Sequence, residues 1–106
     1  MRLTLEKLQE IASETMPRGS SVWLYGSRAR GTERTDSDWD LLVLLDKNKV
    51  DDEDFDKFGY PFISLGWKYG ADVSPQLYTL QEWKLRQNTP FYSNVEQDKK
   101  KVYGAE

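Results

Sequence analysis

The sequence predicts an α+β fold, a small mixed sheet flanked by helices in the order αβ(α)βαβα. Three observations carry that expectation. DWDLLVLLD (38–46) holds a continuous LLVLL run, the pattern of a central strand covered on both faces. The opening LTLEKLQEIASETM repeats its apolar residues at helical spacing. Two further strand-like stretches, SVWLYG (21–26) and ADVSPQLYT (71–79), alternate with helical segments. The 106 residues amount to one domain, 1–106, with enough chain for a single modest core.

Each element has a local reason. In the first helix Leu5, Leu8, Ile11, Ala12 and Met16 share a face, and Pro17 followed by Gly19 stops it. Gly26 ends the first strand, and SRARG suits one short helical turn before the polar connector TERTDS. After the central strand, the acidic stretch KNKVDDEDFD predicts a helix starting near Val50 to Glu53, interrupted at Pro61 and resumed through ISLGWKY to Gly70. Acids gathered at a helix start complement its dipole, and DDEDFD lacks the glycine and terminal glutamate of a calcium loop, so it reads as a helix entry and not as a metal cluster. Pro75 places the third strand at a sheet edge or ends its regular pairing. TLQEWKLRQ reads as a helix capped by Thr79, and FYSNVEQDKKK as a last short helix.

Composition excludes several chemistries. The chain has no cysteine, so disulfides and thiolate metal sites are absent, which suits the cytoplasmic location expected here. It has no histidine, which removes a Ser-His-Asp triad, histidine-ligated zinc and a histidine base. Any catalysis must therefore rest on carboxylates and metal ions. The formal net charge of −3 disfavours broad capture of DNA or RNA, so direct nucleic-acid binding is not expected. MRLTLEKLQE carries acids early and lacks an apolar segment, unlike a signal peptide, and no stretch approaches the roughly 20 apolar residues that span a bilayer. No membrane association is expected.

The chemistry concentrates in GSRARGTERTDSDWD (26–40). Asp38 and Asp40 are two apart on a strand, so their carboxylates share a face while Trp39 points the other way. Two close anions repel unless a cation joins them, and hard oxygen donors suit Mg²⁺. Gly26-Ser27 follows a strand and opens a helical turn, where free N–H groups and a glycine let a phosphate approach. The Gly-Lys-Ser/Thr ending of a Walker loop is missing. Arg28 and Arg30 both suit phosphate, but residues two apart on a helical turn do not share a face. Arg28 is the one expected to face a triphosphate, with Arg30 paired to an acid such as Asp36 or Asp38. Trp23, Trp39, Trp67 and Trp83 are expected mostly in the core.

Taken together, Gly26-Ser27, ten intervening residues and Asp38-x-Asp40 give GSx₁₀DxD, and the chain resembles the DNA polymerase β-like nucleotidyltransferase superfamily. YGSRARG…SDWDLLVLLD and LQEW…TPFYSNV look like its minimal, single-domain branch. The resemblance implies a palm-like nucleotidyltransferase fold. It also implies roles: Gly26 and Ser27 on the β- and γ-phosphates of an NTP, Asp38 and Asp40 on two Mg²⁺ ions, and Asp72 as the third carboxylate that completes the metal site and orients or deprotonates an acceptor hydroxyl. The implied reaction moves NMP, AMP from ATP, to a hydroxyl. Minimal members of the branch resemble antitoxins that pair with, and adenylylate, a HEPN-type toxin, so the implied partner is such a protein. The alternative is a non-catalytic partner-binding module that keeps the fold.

Overall fold

The computed structural model describes residues 2–104. A four-stranded mixed sheet lies at its centre, in the order β3-β2-β1-β4. Helix α1 (Leu5–Thr15) starts at Thr4, whose hydroxyl accepts the Lys7 N–H. It seats Leu8 and Ala12 on the sheet. Strand β1 (Ser21–Tyr25) runs directly into the single-turn helix α2 (Ser27–Arg30), with Gly26 between them. After the connector, β2 (Trp39–Leu45) pairs antiparallel with β1, Tyr25 opposite Asp40, and parallel with β3 (Val73–Thr79), Trp39 beside Val73. The LLVLL run is therefore central, as its pattern requires. β3 lies at the edge, where the missing N–H of Pro75 is tolerated.

Alternation divides the core in two. Val22, Leu24, Trp39, Leu41, Val43 and Leu45 face α1 and the long helical segment after β2. Trp23, Tyr25, Leu42 and Leu44 face the opposite side, against Trp83, Tyr92 and Val95. Trp83 belongs to α5 (Leu80–Lys84) and the other two to α6 (Pro90–Asp98). Thr79 and Glu82 form a reciprocal cap at the start of α5, each bond 3.0 Å. Trp23 and Trp83 sit in this second core and Trp39 in the first, whereas Trp67 is exposed beside Tyr60.

Three elements depart from expectation. The helix after β2 is not interrupted at Pro61. It runs from α3 (Asp52–Asp54) through a π-helical turn (Phe55–Gly59) into α4 (Tyr60–Lys68). Pro61 has no N–H to donate, and the wide turn, closed by Tyr60 N–H on Phe55 O, places it in the first turn of the resumed α-helix. The acids before it act as a cap: Asp51 accepts from Glu53 and Asp54, and Asp54 accepts the Asp51 N–H at 2.8 Å while binding Lys47 at 2.9 Å. α5 closes at Lys84, earlier than TLQEWKLRQ suggests. The last helix ends at Asp98, and Lys100–Gly104 form a fourth strand, β4, antiparallel to β1 with an irregularity between Val22 and Trp23. Of those five residues only Val102 is fully buried, so the strand has almost no local signature and forms because β1 offers an edge.

Candidate active site

The site is built where β1 ends and β2 begins. Antiparallel pairing of Tyr25 with Asp40 brings the Gly26-Ser27 turn against the start of β2. Gly26 has φ +78°, and a β-carbon there would lie 2.5 Å from Asp40 Oδ2. Only glycine allows both this backbone and the carboxylate packed against it. Gly26 O accepts the N–H groups of Ala29 at 3.0 Å and Arg30 at 3.1 Å. The Ser27 and Arg28 N–H groups precede the first intrahelical bond, at the positive end of the turn. Gly31 closes α2 in the left-handed conformation, its N–H on Ser27 O. Ala29, 2% exposed, fixes the turn to the core.

Asp38 is exposed just before β2, and alternation gives it the face of Asp40. Partial burial and then the Asp38 charge raise the Asp40 carboxyl above its ordinary value, with Arg30 acting in the opposite sense. Next to Asp40, the Tyr25 phenol is pushed up to about 12 by burial, the Asp40 charge and Tyr78. Tyr25 continues into an aromatic wall. Its ring meets Phe91 edge-on at 5.7 Å, and Phe91 meets Trp83 at 5.8 Å. The Trp83 indole N–H donates to Glu96 Oε2 at 2.7 Å. Burial raises the Glu96 carboxyl, but this bond and Lys99 outweigh it and leave the group below its ordinary range.

Asp72 precedes β3. Its carbonyl accepts the Trp39 N–H at 2.9 Å, and the parallel register places its backbone beside Asp38. The backbones converge, but the three carboxylates do not. The Asp72 side chain is exposed, and among the described residues no three acidic side chains form a group that could hold a metal ion. No hydrogen bond or ion pair among the described residues holds the Asp72 carboxylate over the other two.

Arg28 is also placed differently from expectation. Its guanidinium turns to the connector, with Nε on Ser37 O at 3.0 Å and Nη2 on Thr35 O at 3.3 Å, and it stacks 4.4 Å from the Trp39 ring centroid. Its partners here are connector carbonyls. Arg30, on the other side of the turn, binds Asp98 at 2.7 Å and is the arginine whose charge reaches Asp40. Tyr25, Arg30 and Asp98 are the neighbours of the site that the motif alone misses. Tyr25 was findable once β1 and β2 are paired antiparallel. The Arg30–Asp98 pair spans 68 positions and has no sequence signal.

The family model for polymerase beta nucleotidyltransferases matches residues 6–66, more than half of the chain and inclusive of Gly26 to Asp40. The chain belongs to the polymerase beta nucleotidyltransferase family. It is accordingly a nucleotidyltransferase, and its α+β sheet is that family's fold. The match ends before Asp72. No curated protein matches the chain. Among solved structures, the nucleotidyltransferase is similar to a toxin–antitoxin structure with AMP-PNP, at TM-score 0.66 and 23% identity over 98% of this chain and 76% of that one. It is similar to an MntA–HpeT toxin–antitoxin whose two aspartates, two positions apart, are changed to glutamate, at TM-score 0.65 and 21% identity over 98% and 76%. It also resembles a structure of tri-AMPylated Shewanella oneidensis HEPN toxin with its MNT antitoxin, at TM-score 0.57 and 19% identity over 95% and 70%. These likenesses establish a shared fold. No helix among the described residues is long and apolar enough to cross a membrane.

Proposed function

We propose that this nucleotidyltransferase moves AMP from ATP to a hydroxyl on a partner protein of the HEPN toxin class, as the antitoxin of the pair. The observation that carries the reading is the packing of the Asp40 carboxylate against Gly26, which joins a phosphate-binding turn to a carboxylate pair. The pair suits a hard divalent cation. Both carboxylates face one way, and the Asp40 carboxyl holds its proton more tightly because of burial first and the Asp38 charge second. Asp38 and Asp40 would hold Mg²⁺, two ions in the full site. When bound, the metal supplies charge neutralisation for the phosphates and lowers the acceptor hydroxyl's pKa.

The chain's own groups supply the rest. The N–H groups that open α2 and the Ser27 hydroxyl bind the β- and γ-phosphates. The Asp72 carboxylate, exposed on a backbone that runs beside Asp38, would orient the acceptor hydroxyl and take its proton on a carboxylate oxygen once turned toward the pair. The hydroxyl oxygen bonds to the α-phosphorus, the bond to the bridging oxygen breaks, and pyrophosphate leaves. Solved relatives of the same fold include one described as an AMPylated HEPN toxin with an MNT antitoxin, which supports that acceptor class. A cytoplasmic setting follows from the same reading. The test is incubation of the purified protein with Mg²⁺, α-labelled ATP and the product of the adjacent gene. Metal-dependent label on that product, absent in Asp38→Asn/Asp40→Asn, is the expected result. Equal labelling by the double variant overturns the role of the pair.

One observation favours the alternative of a non-catalytic partner-binding module: the Asp72 carboxylate stands apart from the other two. That reading predicts a stable partner complex with no ATP affinity in Mg²⁺, and micromolar ATP binding excludes it.

A further inference from the structure

Asp38 precedes the regular strand and is exposed, yet a metal ligand must be held still. The residues on both sides of it are fixed. On one side Ser37 O accepts from Arg28 Nε at 3.0 Å. On the other the Trp39 N–H donates to Asp72 O at 2.9 Å. The same Arg28 guanidinium also reaches Thr35 O and lies over the Trp39 ring at 4.4 Å. The connector is itself closed by the Ser37 N–H on Arg34 O at 3.0 Å and the Arg34 N–H on Ser37 Oγ at 2.8 Å. Arg28 belongs to the turn that opens at Gly26, while its head group holds the backbone entering Asp38. One side chain thus ties the two halves of GSx₁₀DxD.

We propose that Arg28 is a positioning residue: it clamps residues 34–37 and stacks on Trp39, so that Asp38 is presented to the metal in register with Asp40. The role depends on a planar fork that donates to carbonyls and stacks on indole at the same time. Lysine keeps the charge and loses both features. A direct phosphate contact would behave in the opposite way, since an ammonium also attracts phosphate as a point charge. The proposal rests on the reading of Asp38 as a metal ligand, but the clamp itself is measurable without metal or nucleotide.

The experiment compares the full chain with Arg28→Lys and Arg28→Ala. Amide hydrogen exchange of residues 32–38 is measured on the protein alone, and Mn²⁺ affinity is measured calorimetrically with the metal alone. Circular dichroism confirms the fold of each variant, and Arg28→Lys carries the test if the alanine variant does not fold. The expected result is faster exchange at Arg34 and Ser37 and Mn²⁺ binding weakened about 10-fold in both variants, the scale for loss of an outer-shell partner. Wild-type exchange and wild-type Mn²⁺ affinity in Arg28→Lys overturn the proposal. A wild-type chain that itself binds no Mn²⁺ overturns the metal-site reading instead, a result distinct from a variant that binds as well as wild type.

Discussion

At the scale of single residues, the site is a set of close approaches between unlike groups. Gly26 shows this most directly, because a β-carbon would fall on the Asp40 carboxylate and the backbone there lies in the left-handed region. Gly26→Ala is therefore expected to destabilise the fold by about 1–3 kcal/mol, from backbone strain and displacement of Asp40 together. Chemical denaturation measures the loss, and a parallel loss of Mg²⁺-dependent ATP binding shows that the carboxylate moved. Asp40 gives a second prediction, with a defined sign. Its folded-state pKa is raised above 3.8 by burial and by Asp38, so the folded protein favours the neutral carboxyl. The stability that this supplies is fully present below 3.8 and is lost as pH rises through the folded value. Asp40→Asn removes that loss. Without metal its melting temperature should exceed that of wild type at neutral pH, the gap closing on acidification towards 3.8, and its Mg²⁺-induced rise in Tm should vanish. Tyr25 follows the same sign at the alkaline end. Its phenol stays neutral to about 12, so the latest-titrating component of the phenolate absorbance should disappear in Tyr25→Phe.

At the scale of elements, caps and cross-helix contacts set what is rigid. Asp54 is buried, closes its helix start with Asp51 and binds Lys47. Asp54→Ala should cost about 1–2 kcal/mol through the lost cap, whereas Asp56→Ala, an exposed neighbour in the same acidic stretch, should be near neutral. That contrast, read by thermal melting, separates the helix-entry role of DDEDFD from any metal role. Trp83 does comparable work for the second face. It is 3% exposed, contacts Tyr78, Phe91 and Tyr92, and donates to Glu96. Trp83→Ala should cost about 3–5 kcal/mol and release α6 from the sheet, seen as lost near-ultraviolet dichroism.

At the scale of the whole molecule, one sheet separates two unequal cores, and the candidate site lies at the end of the smaller one. The larger core, with α1 and Phe62, holds the Trp39 face of β2, and the smaller holds the Asp40 face. Asp40 therefore sits on, and Asp38 directly before, a central strand whose position is set from the opposite side of the sheet. Stabilising the large core should raise Tm without altering the site. β4 completes the sheet by covering the outer edge of β1. Removing it would leave a five-residue edge open beside two cores, and Val102→Asp should convert the protein to associating species visible by light scattering.

Much of this was legible in the chain because the physics was local. LLVLL pointed to a central strand, Pro75 to an edge or an end of regular pairing, and the aspartates two apart to one face. The spacing of GSx₁₀DxD already contained the turn and the strand entry. Other features were decided by groups distant in sequence. β4 forms on an edge that β1 presents about 80 positions earlier. Arg28 meets Ser37 O, Thr35 O and the Trp39 ring because folding brought them within its reach. Asp72 shares the register of Asp38 through its backbone, while its side chain is exposed. Side-chain type and period are properties of the sequence alone. Which charge meets which partner depends on distances that only the folded sheet creates.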